Sequence, residues 1–346
     1  MGKPATAVDP KTTFTPQSLT ESMQTYRTEL MTMPMFAMQA ALQHMAVRTG
    51  IRYKEHVHEM TGDFEIGPYD KYKMGKGDIA IKQRTLETFF GNCIEPIDVN
   101  SVYQTLWGSD ISKGEGLKNT PWTKRICAYI FAQLGEKLFN VMWTAERNAQ
   151  GTKTEDLFNG FLKIEDDEIL AGAMSEENQN FYDIPEAITP ENAEDILNDF
   201  IWGVAESDWK GVHKKLRDAR GLKLFMSDRT KHYYEVAYQT NHGALPYNQQ
   251  FTKAHLDGKP NIEFVALANV PDDYLLLTSR NNILSLWNQK GSDETFLVEK
   301  SLTSHYDVDF IANLFYGEQY LSVNKEMLAV MKAAPVQGSG QGVTQD

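Results

Sequence analysis

The sequence is poor in cysteine and has no long apolar run. Cys93 and Cys127 are its only cysteines, and their spacing fits neither a disulfide framework nor a metal-binding pair. We therefore predict two buried, reduced thiols in a cytoplasmic setting. No apolar run reaches the roughly 18 residues of a membrane-spanning helix, and the first residues lack the basic-then-apolar order of a secretory signal. The sequence predicts no membrane association.

Positive charge is scarce as well. The chain has 34 Lys and Arg against 47 Asp and Glu, which gives a net charge of −13. A protein that grips nucleic acid through its phosphates needs a basic patch, and we find no sufficiently long run of Lys and Arg. The balance argues against a direct DNA reader. It remains compatible with a container into which another machine loads nucleic acid.

Catalytic motifs are also absent: the sequence has no G-x-S-x-G, no P-loop and no H-E-x-x-H. The best metal-like pattern is His56 and His58, which would share one face of a strand. No third ligand is marked, and two solvated histidines on an arm of alternating polar residues are the favoured interpretation. The acidic residues 165–168 lack the spacing of a calcium loop and predict a solvated acidic face. We predict no enzyme activity, no metal and no cofactor.

A long helix organises the middle of the sequence. Thr120 is a good N-cap and Pro121 suits the first helical position. Apolar residues then recur at steps of three and four, which predicts a helix over residues 121–148 with Gly151 just beyond its end. A helix of this length is a rod of roughly 40 Å, on which separate packing units can be arranged.

Before this helix, the hydrophobic pattern alternates as in β-strands. Residues 51–90 alternate around a glycine-rich centre, which predicts a long two-stranded hairpin. A lone hairpin is only marginally stable in water, so we expect it to lie on another copy of the chain. The methionine-rich residues 21–49 predict a mostly helical amphipathic segment. Such a segment packs either on its own core or on a neighbouring subunit.

The second half of the sequence mixes helices and strands. Thr189 is predicted to cap a second long helix that reaches Trp209. Ser227 is predicted to cap a third helix directly after a buried strand. The further segments are strands at 222–226, 262–270, 274–277, 295–302, 306–316 and 328–331, and a short helix at 280–287.

Taken in this order, the elements resemble a known family. The segments that carry the resemblance are QRTLE at 83–87, FNGFL at 158–162, LFMS at 224–227, PDDYLLLTSRNNI at 271–283 and FYGEQY at 315–320. With the hairpin and the long helix, they resemble a tailed-bacteriophage major capsid protein of the Hong Kong 97-like fold. The resemblance covers roughly residues 20–333.

The resemblance implies an α+β fold in which the long helix is the spine of a peripheral domain. It also implies which residues contact neighbouring subunits. The implied units are an N-terminal arm (1–50), an extended-loop hairpin (51–82), a peripheral domain (83–159 and 287–323, with the spine helix 121–148), an axial domain (160–286 and 324–333) and a flexible C-terminal tail (334–346). The implied contact residues are Tyr53, Phe64, Tyr69, Tyr72, Lys73, Met74, Met33 and Phe36.

The resemblance further implies a shell protein that assembles as pentamers and hexamers around a double-stranded DNA genome. The expected partners are other copies of the chain, a portal protein, and possible scaffolding, maturation protease or decoration proteins. Packaged DNA would be held without sequence-specific contact, in a virion assembled in the host cytoplasm. An encapsulin-like compartment that holds a cargo enzyme is the alternative with the same fold, and a metal enzyme using His56 and His58 is the third hypothesis.

Overall fold

A computed structural model describes residues 38–63, 78–98, 122–204, 209–243, 253–287, 296–302 and 307–335. These residues form both helices and strands. The helices are α1 (Gln39–Leu42), α2 (Trp122–Val141), α3 (Phe161–Leu170), α4 (Ala193–Trp202), α5 (Lys214–Arg217) and α6 (Asp228–His242), with a 3₁₀ turn at Thr154–Asp156. The strands are β1 (Ala46–Thr49), β2 (Lys54–Asp63), β3 (Asp78–Glu87), β4 (Phe89–Asp98), β5 (Phe181–Asp183), β6 (Leu222–Ser227), β7 (His255–Leu256), β8 (Lys259–Leu267), β9 (Leu275–Ser279), β10 (Ile283–Trp287), β11 (Phe296–Lys300), β12 (Asp307–Tyr320) and β13 (Leu328–Lys332).

The strands form three sheets. The first has five strands, in the order β1-β10-β12-β11, with β4 pairing along β12. The second has six strands, in the order β5-β13-β9-β6-β8-β7. The third is the predicted hairpin, in which β2 and β3 pair antiparallel with Met60 opposite Ile81.

The six-stranded sheet is packed on both faces. On β6, Phe225 joins one hydrophobic core, which also contains Trp143 and Phe161. Its neighbours Leu224 and Met226 point to the opposite face and join a second core with residues of α4. Successive side chains of a strand point to opposite faces, so a continuous apolar strand fills two cores. This is why β6, β9 and β13 read as nearly unbroken apolar runs.

The helix α2 is present but shorter than predicted. It ends at Val141, so its 20 residues span about 30 Å. The chain then turns inward, and the backbone amides of Gly160 and Leu162 donate to the carbonyls of Ala145 (2.8 Å) and Trp143 (3.1 Å). These bonds satisfy carbonyls that a continuing helix would have used. A side chain at residue 160 would clash there, since a Cβ atom would lie 2.7 Å from the Trp143 oxygen.

The second long helix also differs from its prediction. α4 begins at Ala193 and its N-cap residue is Asn192, not Thr189. The Asn192 side chain accepts the Thr189 amide at 2.7 Å and holds residues 189–192 in a turn. At the other end, Gly203 has a φ of +82° and stops the helix. Trp209 therefore lies outside α4, and its ring stacks on the ring of Phe200, with 6.5 Å between ring centres.

Two segments predicted as helical contain strands. Residues 283–287 form β10, and all five side chains are buried between β1 and β12. Burial on both faces removes the alternation that would have marked this strand in the sequence. In the methionine-rich segment, the described part is the short helix α1 followed by β1. Met38 and Met45 are buried in the chain's own core.

The other predicted strands and the third helix are confirmed. The strands β6, β8, β9, β11, β12 and β13 lie where the pattern placed them. Ser227 caps α6, because its hydroxyl accepts the Thr230 amide at 3.0 Å. The tip of the hairpin and the predicted contact residues Met33 and Phe36 lie outside the described residues.

Candidate assembly surfaces

The hairpin has one face that the other described residues leave uncovered. Met60, Ile79 and Ile81, which we call the hairpin triplet, are 69%, 55% and 63% exposed. Register places Met60 directly opposite Ile81, with Ile79 two residues further toward the tip. Residues separated by two share a face of the hairpin. Three large exposed side chains on one face of a two-stranded sheet are typical of a contact surface.

The opposite face of the hairpin is anchored to the body. Leu86 is fully buried, in a small core with Leu284 and Leu286 of β10. The guanidinium of Arg84 forms an ion pair with Glu168 of α3 (2.9 Å) and donates to the Gln319 side chain (3.1 Å). Ser322 donates to the Glu59 carboxylate at 2.7 Å. These contacts fix the base of the hairpin and its direction.

A second uncovered apolar surface lies on the outer face of the five-stranded sheet. We call Tyr53, Phe90, Ile94 and Phe315 the outer patch. The Phe315 ring packs against Phe90 (4.9 Å between centres) and against Tyr53 (5.1 Å, edge to face). Phe90 and Ile94 are 51% and 55% exposed. The opposite face of β12 carries Phe310 and Tyr316, which are both buried. Tyr316 belongs to the core that contains Trp143.

Tyr53 is the one predicted contact residue within the described part of the chain. It is 61% exposed and has a φ of +64°. A non-glycine residue in this left-handed region costs about 1 to 2 kcal/mol. The carbonyl of Tyr53 accepts the Thr88 amide at 2.7 Å, which helps to hold this conformation. The other predicted contact residues, Phe64, Tyr69, Tyr72, Lys73, Met74, Met33 and Phe36, lie outside the described residues.

His56 and His58 do share one exposed face of β2, as their spacing predicted. A side-chain nitrogen of His56 lies 3.1 Å from the Thr85 hydroxyl. Within the described part of the chain, no three His, Cys, Asp or Glu side chains are grouped closely enough to hold a metal ion. None of the described helices is both long and apolar enough to cross a membrane.

The prediction of a solvated acidic face at residues 165–168 is wrong. These residues lie in α3, and Glu165 is fully buried. Its carboxylate accepts hydrogen bonds from the hydroxyls of Tyr274 and Tyr320, each at 2.6 Å. Burial raises the pKa of Glu165, although the nearby Lys332 ammonium lowers it in part. Lys332 itself pairs with Asp166 at 2.7 Å.

A second buried carboxyl lies on β12. Glu318 accepts a short hydrogen bond from the Tyr316 hydroxyl and another from Ser285 at 3.3 Å. Burial raises the pKa of Glu318 well above its ordinary range. Burial also raises the pKa of the Cys93 thiol, which is half-buried rather than buried as predicted. No sequence pattern pointed to Glu165, because its tyrosine partners are more than 100 positions away in the chain. Glu318 lies two residues from Tyr316 on the same face of β12, so strand parity could have indicated that pair.

The comparisons with known proteins identify the fold. No protein-family model matches the chain, and no curated protein matches it in sequence. A chain of the satellite phage P4 procapsid, solved with its size determination (Sid) protein, is similar in structure with a TM-score of 0.53 and 12% identity. The match covers 94% of this chain and 92% of that chain.

The capsid of a native GTA particle gives a similar match. Its TM-score is 0.53 at 11% identity, over 97% of this chain and 96% of that chain. The capsid of the empty GTA particle matches with the same TM-score at 10% identity. At such low identity the likeness establishes the fold. The chain has the Hong Kong 97-like capsid fold, as the order of its sequence elements predicted.

Proposed function

We propose that this chain is a major capsid protein, which assembles as pentamers and hexamers into the icosahedral shell around the double-stranded DNA genome of a tailed phage. The observation that carries the proposal is the similarity over more than nine tenths of the chain to capsid chains of phage P4 and the GTA particle. The role is structural, with no catalytic site and no cofactor.

The uncovered surfaces support this proposal. A shell protein must expose apolar contacts in the isolated chain and cover them on assembly. The hairpin triplet and the outer patch have this property, and the anchored base of the hairpin gives the projecting strands a defined direction. The extended loop is assigned to residues 51–82, and its tip would lie over a neighbouring copy.

The same proposal assigns the other units and partners. The arm is residues 1–50, the peripheral domain 83–159 with 287–323, the axial domain 160–286 with 324–333, and the tail 334–346. The proposed partners, besides other copies of the chain, are a portal protein and, as candidates, scaffolding, maturation protease or decoration proteins. DNA is enclosed without sequence-specific contact. The protein is located in the virion after assembly in the host cytoplasm.

The first test is assembly of the wild-type chain, expressed alone and with the genes next to its own. Size-exclusion chromatography and negative-stain microscopy are expected to show pentamers, hexamers or closed shells. A monodisperse monomer under every condition would contradict the proposal. Shells that contain a cargo enzyme rather than DNA would replace it with the compartment hypothesis.

The second test removes the apolar contact of the hairpin. Met60→Gln together with Ile81→Gln is expected to leave a folded chain that no longer closes shells, because each subunit loses two exposed apolar side chains at the same contact. Lys82→Gln is the matched control, since Lys82 is exposed on the adjacent position of β3. Deletion of residues 62–77 should have the stronger effect. Normal shells from the deletion variant would refute the role of the hairpin.

A further inference from the structure

Residues 38–45, which we call the entry segment, lead the chain into β1. They contain α1 and the turn after it. The apolar side chains of the segment are buried in the same core as Phe225 of β6. They are Met38, Ala41, Leu42 and Met45. These contacts attach the entry segment to one face of the six-stranded sheet, and two polar contacts at its end add to the attachment.

Both polar contacts join the entry segment to a cationic side chain of the sheet region. The Lys223 ammonium on β6 lies 3.1 Å from Nδ1 of His44. The Arg280 guanidinium, just after β9, donates to the Met45 carbonyl at 3.2 Å. Lys223 lies two residues before Phe225, so both side chains point to the face that the segment covers. His44 is therefore a titratable ring placed beside two positive charges.

The protonation state of His44 follows from its partner. Lys223 also forms an ion pair with Glu263 of β8 at 2.8 Å, so its side chain is a charged ammonium. An ammonium can only donate a hydrogen bond, and Nδ1 of His44 must then accept it. The ring is neutral with its proton on Nε2, which lies 3.0 Å from the side-chain amide of Gln43. A half-turn of this exposed amide presents its oxygen to Nε2.

The surroundings of His44 oppose the uptake of a second proton. Burial lowers the pKa of His44, and the positive charges of Lys223 and Arg280 lower it further. The Glu263 carboxylate acts in the opposite direction, but it is already paired with Lys223 and also faces the exposed His255 of β7. A proton on Nδ1 would remove the acceptor of Lys223 and add a third positive charge at this place.

We propose that His44 is an acid-sensitive latch, which holds the entry segment on the sheet while its ring is neutral and loosens the segment when the ring takes up a proton. The latch shifts an equilibrium and does not release the segment outright, because four buried apolar side chains hold it at any pH. The latch is a property of the single chain and does not depend on assembly.

The direction of the pH dependence follows from the lowered pKa. The opened segment exposes His44 to water, where its pKa returns to an ordinary value of about 6.5. The docked segment takes up the proton only at a lower pH. Docking is therefore fully favoured above the ordinary pKa and becomes weaker as the pH falls below it. Acid loosens the entry segment while the sheets stay paired.

Amide hydrogen exchange of the unassembled chain tests the latch. The amides of Leu42 and His44 donate within the entry segment, at 3.0 and 2.9 Å, and exchange when the segment opens. Between roughly pH 7.5 and 5, their protection is expected to fall by about tenfold or more, the usual effect of losing one hydrogen bond to a charged group. The rates are corrected for the intrinsic effect of pH on exchange. Protection in β9 should not change.

Two substitutions at His44 separate the latch from a general sensitivity to acid. His44→Gln keeps an oxygen that can accept from Lys223 but takes up no proton in this range, so protection is expected to be the same at both pH values. His44→Lys carries a positive charge at both and should show low protection throughout. His255→Gln is the matched control, because His255 is an exposed histidine opposite the same Glu263, and it should keep the wild-type pH dependence.

Either of two results would overturn the inference. One is wild-type protection that does not change with pH, and the other is a loss of protection in acid that persists in His44→Gln. Thermal unfolding near pH 7.5 shows whether each variant folds, and the comparison of the wild type with His44→Gln decides even where His44→Lys does not fold. Shell assembly is measured separately, so a failure to form shells would count against the proposed function and not against the latch.

Discussion

At the scale of one residue, Glu165 links helix α3 to three strands. Its buried carboxyl accepts the hydroxyls of Tyr274, next to β9, and Tyr320, at the end of β12. The Lys332 ammonium on β13 lies 3.3 Å from its other oxygen. Four elements from distant parts of the sequence therefore meet at one side chain. Removal of that side chain leaves two buried tyrosine hydroxyls without their acceptor, while Lys332 keeps its ion pair with Asp166.

We predict that Glu165→Leu lowers the free energy of unfolding by about 3 to 5 kcal/mol. The substitution removes one member of a buried polar network and leaves its hydrogen-bond donors without an acceptor. Glu165→Gln keeps an acceptor for the tyrosines and should cost less. Urea unfolding of the unassembled chain measures both. Asp167→Leu, at a mostly exposed position of the same helix, is the control. Equal losses at residues 165 and 167 would contradict this role.

Glu318 makes a prediction about pH. Its pKa is raised from an ordinary 4.5, first by burial, and no cation is among the groups that affect it. The folded chain thus retains a proton that the unfolded chain has released. The contribution of this proton to the free energy of unfolding is fully present below the pKa that the carboxyl has in the unfolded chain. Above that pKa, the contribution decreases by up to about 1.4 kcal/mol per pH unit.

The variant Glu318→Gln cannot release a proton at this position. Between roughly pH 5.5 and 7.5, its stability relative to the wild type is therefore expected to improve as the pH rises. Urea unfolding at the two pH values measures the change. Glu299→Gln, at an exposed position of β11, controls for the loss of a surface carboxylate. A difference that is constant with pH, or that changes in the opposite direction, would be inconsistent with a protonated Glu318.

At the scale of the element, the hairpin is a two-stranded sheet whose direction depends on its base. Arg84→Met keeps the aliphatic stem but removes the bonds to Glu168 and Gln319. We predict that amide hydrogen exchange in β2 and β3 accelerates by about tenfold, while β6 is unchanged, since the lost bonds hold only this element. Lys82→Met is the exposed control. Uniform acceleration in all sheets would instead indicate general destabilisation.

The sequence predicted elements well wherever one face is buried and the other is exposed. The alternation in β2 and β3 was visible for this reason. The Ser227 cap was visible because an N-cap is a local signal of residue type. The prediction failed at β10, whose five buried residues were predicted as a helix, although the similarly buried β6 and β13 were recognised as apolar runs. It also failed at Asn192, which takes the N-cap position predicted for Thr189. Glu165 was misjudged because an acidic run looks solvated until its partners are known. The hairpin triplet was not among the predicted contact residues, although strand parity puts its side chains on one face. The body contacts of Arg84 depend on residues more than 80 positions away.

At the scale of the whole molecule, two cores share one sheet. Leu224 and Phe225 are adjacent on β6, yet Phe225 belongs to the core with Trp143 and Leu224 to the core with Phe200. The backbone hydrogen bonds of β6 with β8 and β9 support both layers at once. Neither core can lose its packing without loosening the sheet that supports the other. The described layers should therefore behave as one cooperative unit.

We predict that Leu224→Ala and Phe225→Ala each lower the midpoint of the same unfolding transition, by an amount that corresponds to about 2 to 5 kcal/mol. A chain of this length with two independent domains would instead show two transitions, with each substitution moving only one of them. The unassembled chain is followed in urea by far-ultraviolet circular dichroism, which reports on all elements, and by tryptophan fluorescence. Trp143 in one core and Trp209 in the other contribute to the fluorescence. Coincident curves for both variants would establish the shared sheet as the link between the layers, and separate curves would assign each core its own stability.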